Sequence, residues 1–172
     1  MNTSIVLSII SDDRPGIVES LSELLGEHGG NWTESSMLSL AGKFAGILLV
    51  SLPEENSEAF IGALRALEET GLQIVAQYSR DVPPSEGARE FTLDLVGQDH
   101  PGIVHEITGV LAAHNINVQE FETHCQSASM SGETLFLAHA RLLIPREVSL
   151  RELQESLEDL ANELMVDIKL DE

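Results

Sequence analysis

The sequence has few basic residues: nine Lys and Arg stand against 29 Asp and Glu, which gives a formal net charge of −20. Proteins that bind nucleic acid neutralise its phosphates with clustered Lys and Arg, and no such cluster is present. Anionic membrane surfaces attract the same basic clusters. We therefore expect no direct contact with nucleic acid or membrane. The acidity favours solubility or, as the alternative, a basic protein partner.

Cysteine, aromatic residues and long apolar runs are also scarce. The one cysteine, Cys125, excludes an internal disulfide and lacks the neighbouring ligands of a zinc site. No segment approaches the roughly 20 apolar residues that cross a bilayer, and no signal-peptide pattern is present. The six histidines have no metal-ligand spacing, and we find no nucleophile–base set or phosphate-binding loop. We expect a cytoplasmic protein that is not an enzyme and that holds no metal or cofactor.

The strongest positive feature is an internal repeat. Asp13–Val18 (Asp-Arg-Pro-Gly-Ile-Val) recurs as Asp99–Val104 (Asp-His-Pro-Gly-Ile-Val), 86 positions later. Asn31 matches Asn117 at the same spacing, and the apolar positions between the motifs also match. The chain is therefore predicted to be a tandem duplication.

The two copies differ in length. Phe44 matches Phe136 at a spacing of 92, so the second copy carries six extra residues, which we place at 126–132. A segment with Pro, Gly and charged residues separates the copies, as is typical of a domain boundary. The predicted domains are 1–80 and 89–172, joined by a linker at 81–88.

Each copy has the pattern of strand, helix, two strands, helix and strand. In the first copy the β-branched run Ile5–Ile10 predicts a buried strand, and the Asp-x-Pro-Gly turn leads into a helix with apolar residues at helical spacing. Two extended segments follow, joined as a hairpin through Ala41-Gly42-Lys43. A helix after Pro53 and a last strand complete the unit. We predict an α+β protein of two tandem ferredoxin-like βαββαβ domains with antiparallel sheets.

An apolar strand, Asp-x-Pro-Gly-Ile-Val, a helix and an Asn at the next strand together resemble the ACT domain, a regulatory module that binds small molecules. Both copies match, so the resemblance covers the chain apart from the linker. Among ACT proteins, this chain of two units resembles the transcriptional repressors of the glycine cleavage system. That resemblance implies an amino-acid ligand such as glycine, a protein partner such as a transcription activator, and a homo-oligomer. The alternative is an ACT scaffold, or an allosteric regulator of a metabolic enzyme, with no ligand of its own.

The candidate ligand-binding residues lie in the two turns and at the two asparagines. A helix N-terminus offers free backbone N–H groups and a positive dipole end for a carboxylate, and a nearby Asp could bind an α-ammonium group. The structural alternatives are a capping Asp and an Asn that tolerates left-handed backbone. The candidates are Asp13, Arg14, Pro15, Gly16, Ile17 and Asn31 in the first copy, and Asp99, His100, Pro101, Gly102, Ile103 and Asn117 in the second.

Overall fold

The computed structural model describes residues 1–80, 82–83 and 86–172. The chain divides into two compact units, Met1–Val82 and Pro83–Glu172, which we call unit 1 and unit 2. Each unit has the element order βαββαβ, which confirms the predicted fold class. The predicted linker at 81–88 contains Asp81, Pro84 and Ser85, which lie outside the described residues. The linker boundaries therefore stay a prediction.

Unit 1 is a four-stranded antiparallel sheet with two helices packed on one face. Its elements are β1 (Asn2–Asp12), α1 (Ile17–Glu27), β2 (Asn31–Leu40), β3 (Lys43–Pro53), a 3₁₀ turn (Glu54–Asn56), α2 (Ser57–Glu68) and β4 (Gln73–Tyr78). The strand order is β2-β3-β1-β4. Alternate residues of β1, such as Leu7, are buried against helix residues such as Leu21 and Phe60, because successive strand residues point to opposite faces.

Unit 2 repeats this architecture. Its elements are β5 (Arg89–Gln98), α3 (Ile103–Ala113), β6 (Asn117–Ser127), β7 (Thr134–Ile144), α4 (Leu150–Leu164) and β8 (Val166–Asp171). The strand order is β6-β7-β5-β8, again antiparallel. The buried cluster around Leu95, Ile107 and Leu153 occupies the position of the unit 1 core.

The connections explain the length difference between the copies. In unit 1, Ala41 and Gly42 have φ of 49° and 80°, the left-handed pair of a tight two-residue hairpin turn. In unit 2 the strands continue for one more pair, Ser127 with Thr134, and a six-residue loop then joins them. Eight residues, 127–134, therefore stand where unit 1 has two, and these account for the six extra residues of the second copy.

Each sheet has a second face that its own helices do not cover, and we call it the open face. The open face of unit 1 is formed by residues in register on its four strands: Glu34, Ser36, Leu38 and Leu40 on β2; Lys43, Ala45, Ile47 and Leu49 on β3; Val6, Ser8, Ile10 and Asp12 on β1; and Gln73, Val75 and Gln77 on β4. The corresponding open face of unit 2 is formed by Glu120, Glu122, His124 and Gln126; Leu135, Leu137, His139 and Arg141; Thr92, Asp94, Val96 and Gln98; Asp167, Lys169 and Asp171.

Candidate functional site

The two Asp-x-Pro-Gly turns connect the first strand of each unit to its first helix. Gly16 and Gly102 are the N-cap residues of α1 and α3, and both have φ of 91°. Neither helix has a hydrogen bond from a capping side chain. The alternative in which Asp13 or Asp99 caps the helix is therefore wrong for both units. At each turn, the first backbone N–H groups of the helix therefore have no hydrogen bond to a capping side chain.

The carboxylate of Asp13 points instead toward the β2–β3 hairpin. Ser39 Oγ on β2 donates to Asp13 Oδ2 at 2.6 Å, and the Asp13 backbone N–H donates to the Gly42 carbonyl at 3.0 Å. The turn is thus held to the hairpin by both its backbone and its side chain.

Unit 2 has the same arrangement with a different donor. The Asp99 backbone N–H donates to the Thr134 carbonyl at 2.9 Å. Cys125 stands at the repeat position of Ser39, close enough to Asp99 for that carboxylate to act on its thiol. Desolvation, followed by the charge of Asp99 and hydrogen bonding to it, raises the pKa of the Cys125 thiol. The protonated thiol beside Asp99 is thus the counterpart of the serine hydroxyl in unit 1.

The second residue of the motif distinguishes the two turns. One nitrogen of the Arg14 guanidinium donates to the Thr70 carbonyl at 2.9 Å and lies 3.2 Å from Thr70 Oγ1, just before β4. At the matching position, His100 Nδ1 lies 3.1 Å from the carbonyl oxygen of the adjacent Pro101. The unit 1 turn is therefore bonded both to the β2–β3 hairpin and to the connection between α2 and β4. In the described contacts of unit 2, the turn is bonded only to the start of β7.

The two isoleucines of the motif belong to the cores. Ile17 and Ile103 are 4% and 3% exposed. Their side chains cannot contact a ligand at the surface, so only their backbone N–H groups are available to one. Pro15, Gly16, Pro101 and Gly102 are exposed at the turns.

Asn31 lies far from the turn of its own unit. Asn31 is the first residue of β2, where it pairs with Ser51. The turn lies at the other end of the sheet, because it follows Asp12, which pairs with Lys43 beside Leu40, the last residue of β2. Nine residue steps along β2 separate Asn31 from Leu40, which corresponds to about 30 Å. One amino acid cannot contact both groups within unit 1. Asn117 has the equivalent position in unit 2.

The left-handed backbone considered for these asparagines occurs elsewhere. Neither Asn31 nor Asn117 has positive φ, so the alternative in which they tolerate that conformation is wrong. Asn115 has φ of 56° at the position where unit 1 has Gly29, with φ of 70°. These two residues end the first helix of each unit.

A shallow cavity of about 360 Å³ lies beside the unit 1 turn. It is lined by Ile10, Ser11, Asp12, Lys43, Gly71 and Gln73. Lys43 donates to the Asp12 carboxylate, and this hydrogen bond and positive charge lower the pKa of Asp12. The cavity therefore has one negative and one positive group on the open face of unit 1, where Asp12 leads into the turn.

Sequence reasoning did not find Asp12 and Lys43. The two residues are 31 positions apart, and neither recurs in the second copy, where Gln98 and Leu135 take their places. The signal that could have found them is the hairpin register. A two-residue turn at Ala41-Gly42 makes Lys43 the first residue of β3, and in the ferredoxin-like order the start of β3 lies beside the end of β1.

Unit 2 has a different cavity, of about 270 Å³, on its open face. His139 Nδ1 lies 2.6 Å from Asp94 Oδ1 there, with Glu122 and His124 on the adjoining strand. The hydrogen bond and charge of Asp94 raise the pKa of His139, and Glu122 and Glu120 act in the same direction. Across the described ranges, no group of three or more His, Cys, Asp or Glu side chains is arranged to hold a metal ion. Over the same ranges, no helix is long and apolar enough to cross a membrane.

The duplicated βαββαβ fold and the paired turns define a protein of two tandem α+β domains, and comparison with known proteins identifies its family. ACT domain models match residues 3–77 and 91–162. The chain therefore belongs to the ACT domain family, with one domain in each unit.

Relatives occur among curated proteins and solved structures. A UPF0237 protein of Methanopyrus kandleri is 37% identical over 81 residues, which are 44% of this chain and 88% of that protein. The glycine cleavage system transcriptional repressor of Escherichia coli is 25% identical over 128 residues, 72% of this chain and 66% of the repressor. The crystal structure of an unknown protein from Galdieria sulphuraria is 34% identical, with a TM-score of 0.89 over 99% of this chain and 98% of that one.

Proposed function

We propose that this protein is a non-enzymatic regulator that binds a free amino acid at its Asp-x-Pro-Gly turns and acts in the cytoplasm through contact with another protein. One observation carries the proposal: the same exposed turn precedes a helix without a side-chain cap in both units. Backbone N–H groups and the helix dipole at such an end attract a carboxylate. Membership of the ACT domain family supports a regulatory role.

Unit 1 is proposed as the principal site. Its cavity places the Lys43 ammonium and the Asp12 carboxylate close together, next to the turn that Arg14 and Asp13 hold in place. A zwitterion has a complementary pair of charges. Glycine is the first candidate, because the Escherichia coli relative is named for the glycine cleavage system.

Asn31 and Asn117 are proposed as ligand contacts that are separate from the turns of their own units. Each is at the opposite end of its sheet from the turn. Their amide groups can both donate and accept hydrogen bonds, which suits an amino acid. Replacement of either residue by Ala should therefore weaken binding without affecting the turn.

The test is calorimetric titration of the whole chain with a panel of amino acids, beginning with glycine. We expect saturable binding whose principal component, assigned to unit 1, is lost in the double variant Asp12→Gln and Lys43→Leu. These are the residues that unit 2 has at the same positions, so the fold should tolerate them. The matched control, Gln98→Asp with Leu135→Lys, places the charges in unit 2 and should leave the affinity of unit 1 unchanged. Absence of binding by the unaltered chain for every amino acid would contradict the proposal.

The proposed output is contact with a transcription activator of the glycine cleavage genes, which represses their transcription. Nothing in the described residues resembles the basic surface that binds DNA directly, and the chain is strongly acidic. Copurification with the purified activator, with and without glycine, tests this output. Recovery of a metabolic enzyme in place of the activator would favour the second candidate, an allosteric regulator or scaffold without a ligand of its own.

A further inference from the structure

The open face of unit 1 is largely aliphatic and exposed. Ile47 is 57% exposed, Val75 56%, Leu38 54%, Leu40 71% and Ile10 43%. Leu38, Ala45 and Ile10 lie side by side in the strand register, and Ile47 is two residues from Ala45 along β3. Together these side chains form an apolar patch on the sheet, bordered by Ser8, Ser36 and the ion-paired Lys43.

The same positions in unit 2 are mostly polar or charged. Repeat spacing and strand register place His139 where unit 1 has Ile47, and Lys169 where it has Val75. His124 and Gln126 replace Leu38 and Leu40, and Val96 alone keeps an apolar side chain, in place of Ile10. Since both units have the same fold, the aliphatic face is not a requirement of the fold.

The charge of the chain limits what can cover this face. Two copies with a net charge of −20 repel each other, so they can associate only where the surfaces are close to neutral. The charged residues of the unit 1 open face are Glu34 and the ion-paired Asp12 and Lys43. The open face of unit 2 would have to bury groups such as Asp94 and Lys169 against aliphatic side chains, which is costly.

The size of the face is sufficient for a dimer. Four strands about 4.8 Å apart, with about eight residues of about 3.3 Å each, give a footprint of roughly 500 Å². Protruding side chains make the accessible area larger than this footprint. A standard interface buries about 800 Å² on each partner, so the whole open face would be used.

We propose that the open face of unit 1 packs against the same face of a second copy of this chain, giving a two-fold symmetric dimer with the sheets face to face. Such an interface must be complementary to itself, and an aliphatic, nearly neutral surface satisfies this condition. Paired sheets pack about 10 Å apart with interdigitating side chains. Ile10, Asp12, Lys43 and Gln73 of this face also line the cavity proposed for the amino acid, so the dimer would enclose that cavity between the two copies. Sedimentation of the ligand-free chain tests the dimer separately from the ligand.

Sedimentation velocity of the purified full chain over a range of concentrations tests the dimer. We expect a dimer at micromolar concentration and a folded monomer for Ile47→Lys, verified by circular dichroism. The matched control is Val96→Lys, which adds the same charge to an exposed valine of the other open face and should leave the dimer intact. If Ile47→Lys fails to fold, Val75→Lys on the edge strand β4 replaces it.

Three results would overturn the proposal. The unaltered chain could be monomeric at all concentrations, Ile47→Lys could remain dimeric, or Val96→Lys could dissociate the dimer as fully as Ile47→Lys does. A thiol probe gives independent evidence. In a Cys125→Ser background, Ser8→Cys should be protected from maleimide at high protein concentration and become reactive on dilution, and reactivity independent of concentration would count against the interface.

Discussion

Ser39 Oγ donates to the carboxylate of Asp13 at 2.6 Å, and Cys125 lies beside Asp99 at the matching position of the other unit. A group that can donate to the carboxylate of the turn is therefore present in both copies, a hydroxyl in one and a thiol in the other. This points to a requirement for a donor on the second strand of each unit. The carboxylate of the turn then has a structural role, in addition to any contact with a ligand.

The first prediction concerns this donor. Ser39→Ala should lower the free energy of unfolding by roughly 1 kcal/mol or less, because it removes one hydrogen bond at the surface. Ser39→Cys, the residue that unit 2 uses, should retain more stability than Ser39→Ala. Urea unfolding followed by circular dichroism measures both variants. Equal stability of the alanine and cysteine variants would show that the hydrogen bond has no structural weight.

The second prediction concerns the backbone of the turn. Gly16 has φ of 91°, and a Cβ added there would meet nothing within 4 Å. Gly16→Ala should still destabilise the protein by about 1–2 kcal/mol, because the left-handed conformation disfavours a side chain. Gly62→Ala in α2, where space is also open, is the control and should stabilise by about 0.5–1 kcal/mol. Thermal unfolding of both variants should therefore shift in opposite directions.

The third prediction concerns pH and the Asp94–His139 pair. Asp94 raises the pKa of His139, so protonated His139 stabilises the folded state. This contribution is fully present below the ordinary pKa of 6.5 and is lost as the pH rises through the higher pKa of the folded state. Proton NMR titration of His139 should give a midpoint above 6.5, and Asp94→Asn should lower that midpoint. A midpoint that Asp94→Asn leaves unchanged would contradict the assignment.

The fourth prediction concerns the reactivity of Cys125. Desolvation by neighbouring atoms and the charge of Asp99 raise the pKa of the thiol, and the thiolate is the reactive form. Although Cys125 is exposed, iodoacetamide should modify it more slowly at pH 8 than it modifies a free cysteine. Asp99→Asn should accelerate the reaction, because it removes the negative charge beside the thiol. A rate that is the same in both proteins would argue that Asp99 does not act on Cys125.

The repeat made most of the fold predictable from the sequence. Equivalent Asp-x-Pro-Gly turns and matching apolar periodicity identified the element order, and the spacing change from 86 to 92 located the longer loop. These features are local, so short sequence patterns carry them. The contacts of the candidate site are not local. Ser39 and Asp13 are 26 positions apart, and Arg14 and Thr70 are 56 apart, so both pairs depend on strand register and helix packing.

The apolar open face could not be predicted for a related reason. In the sequence, Ile10, Ile47 and Val75 look like ordinary strand residues that alternate with core residues. They come together on one surface only when the strands pair in register. The comparison with His139 and Lys169 also requires the register of unit 2. A difference between repeats is therefore informative only after the fold has aligned them.

The last prediction concerns the salt dependence of the proposed dimer. Two chains with a net charge of −20 repel each other, and added salt screens that repulsion with a Debye length of about 10 Å at 0.1 M. An interface made by Ile47, Val75 and their aliphatic neighbours has few attractive charges for salt to weaken. The dimer dissociation constant should therefore fall as NaCl is raised from about 0.05 to 0.5 M, as sedimentation equilibrium can measure. A dissociation constant that rises with salt would instead indicate an interface held by ion pairs, such as those of the charged open face of unit 2.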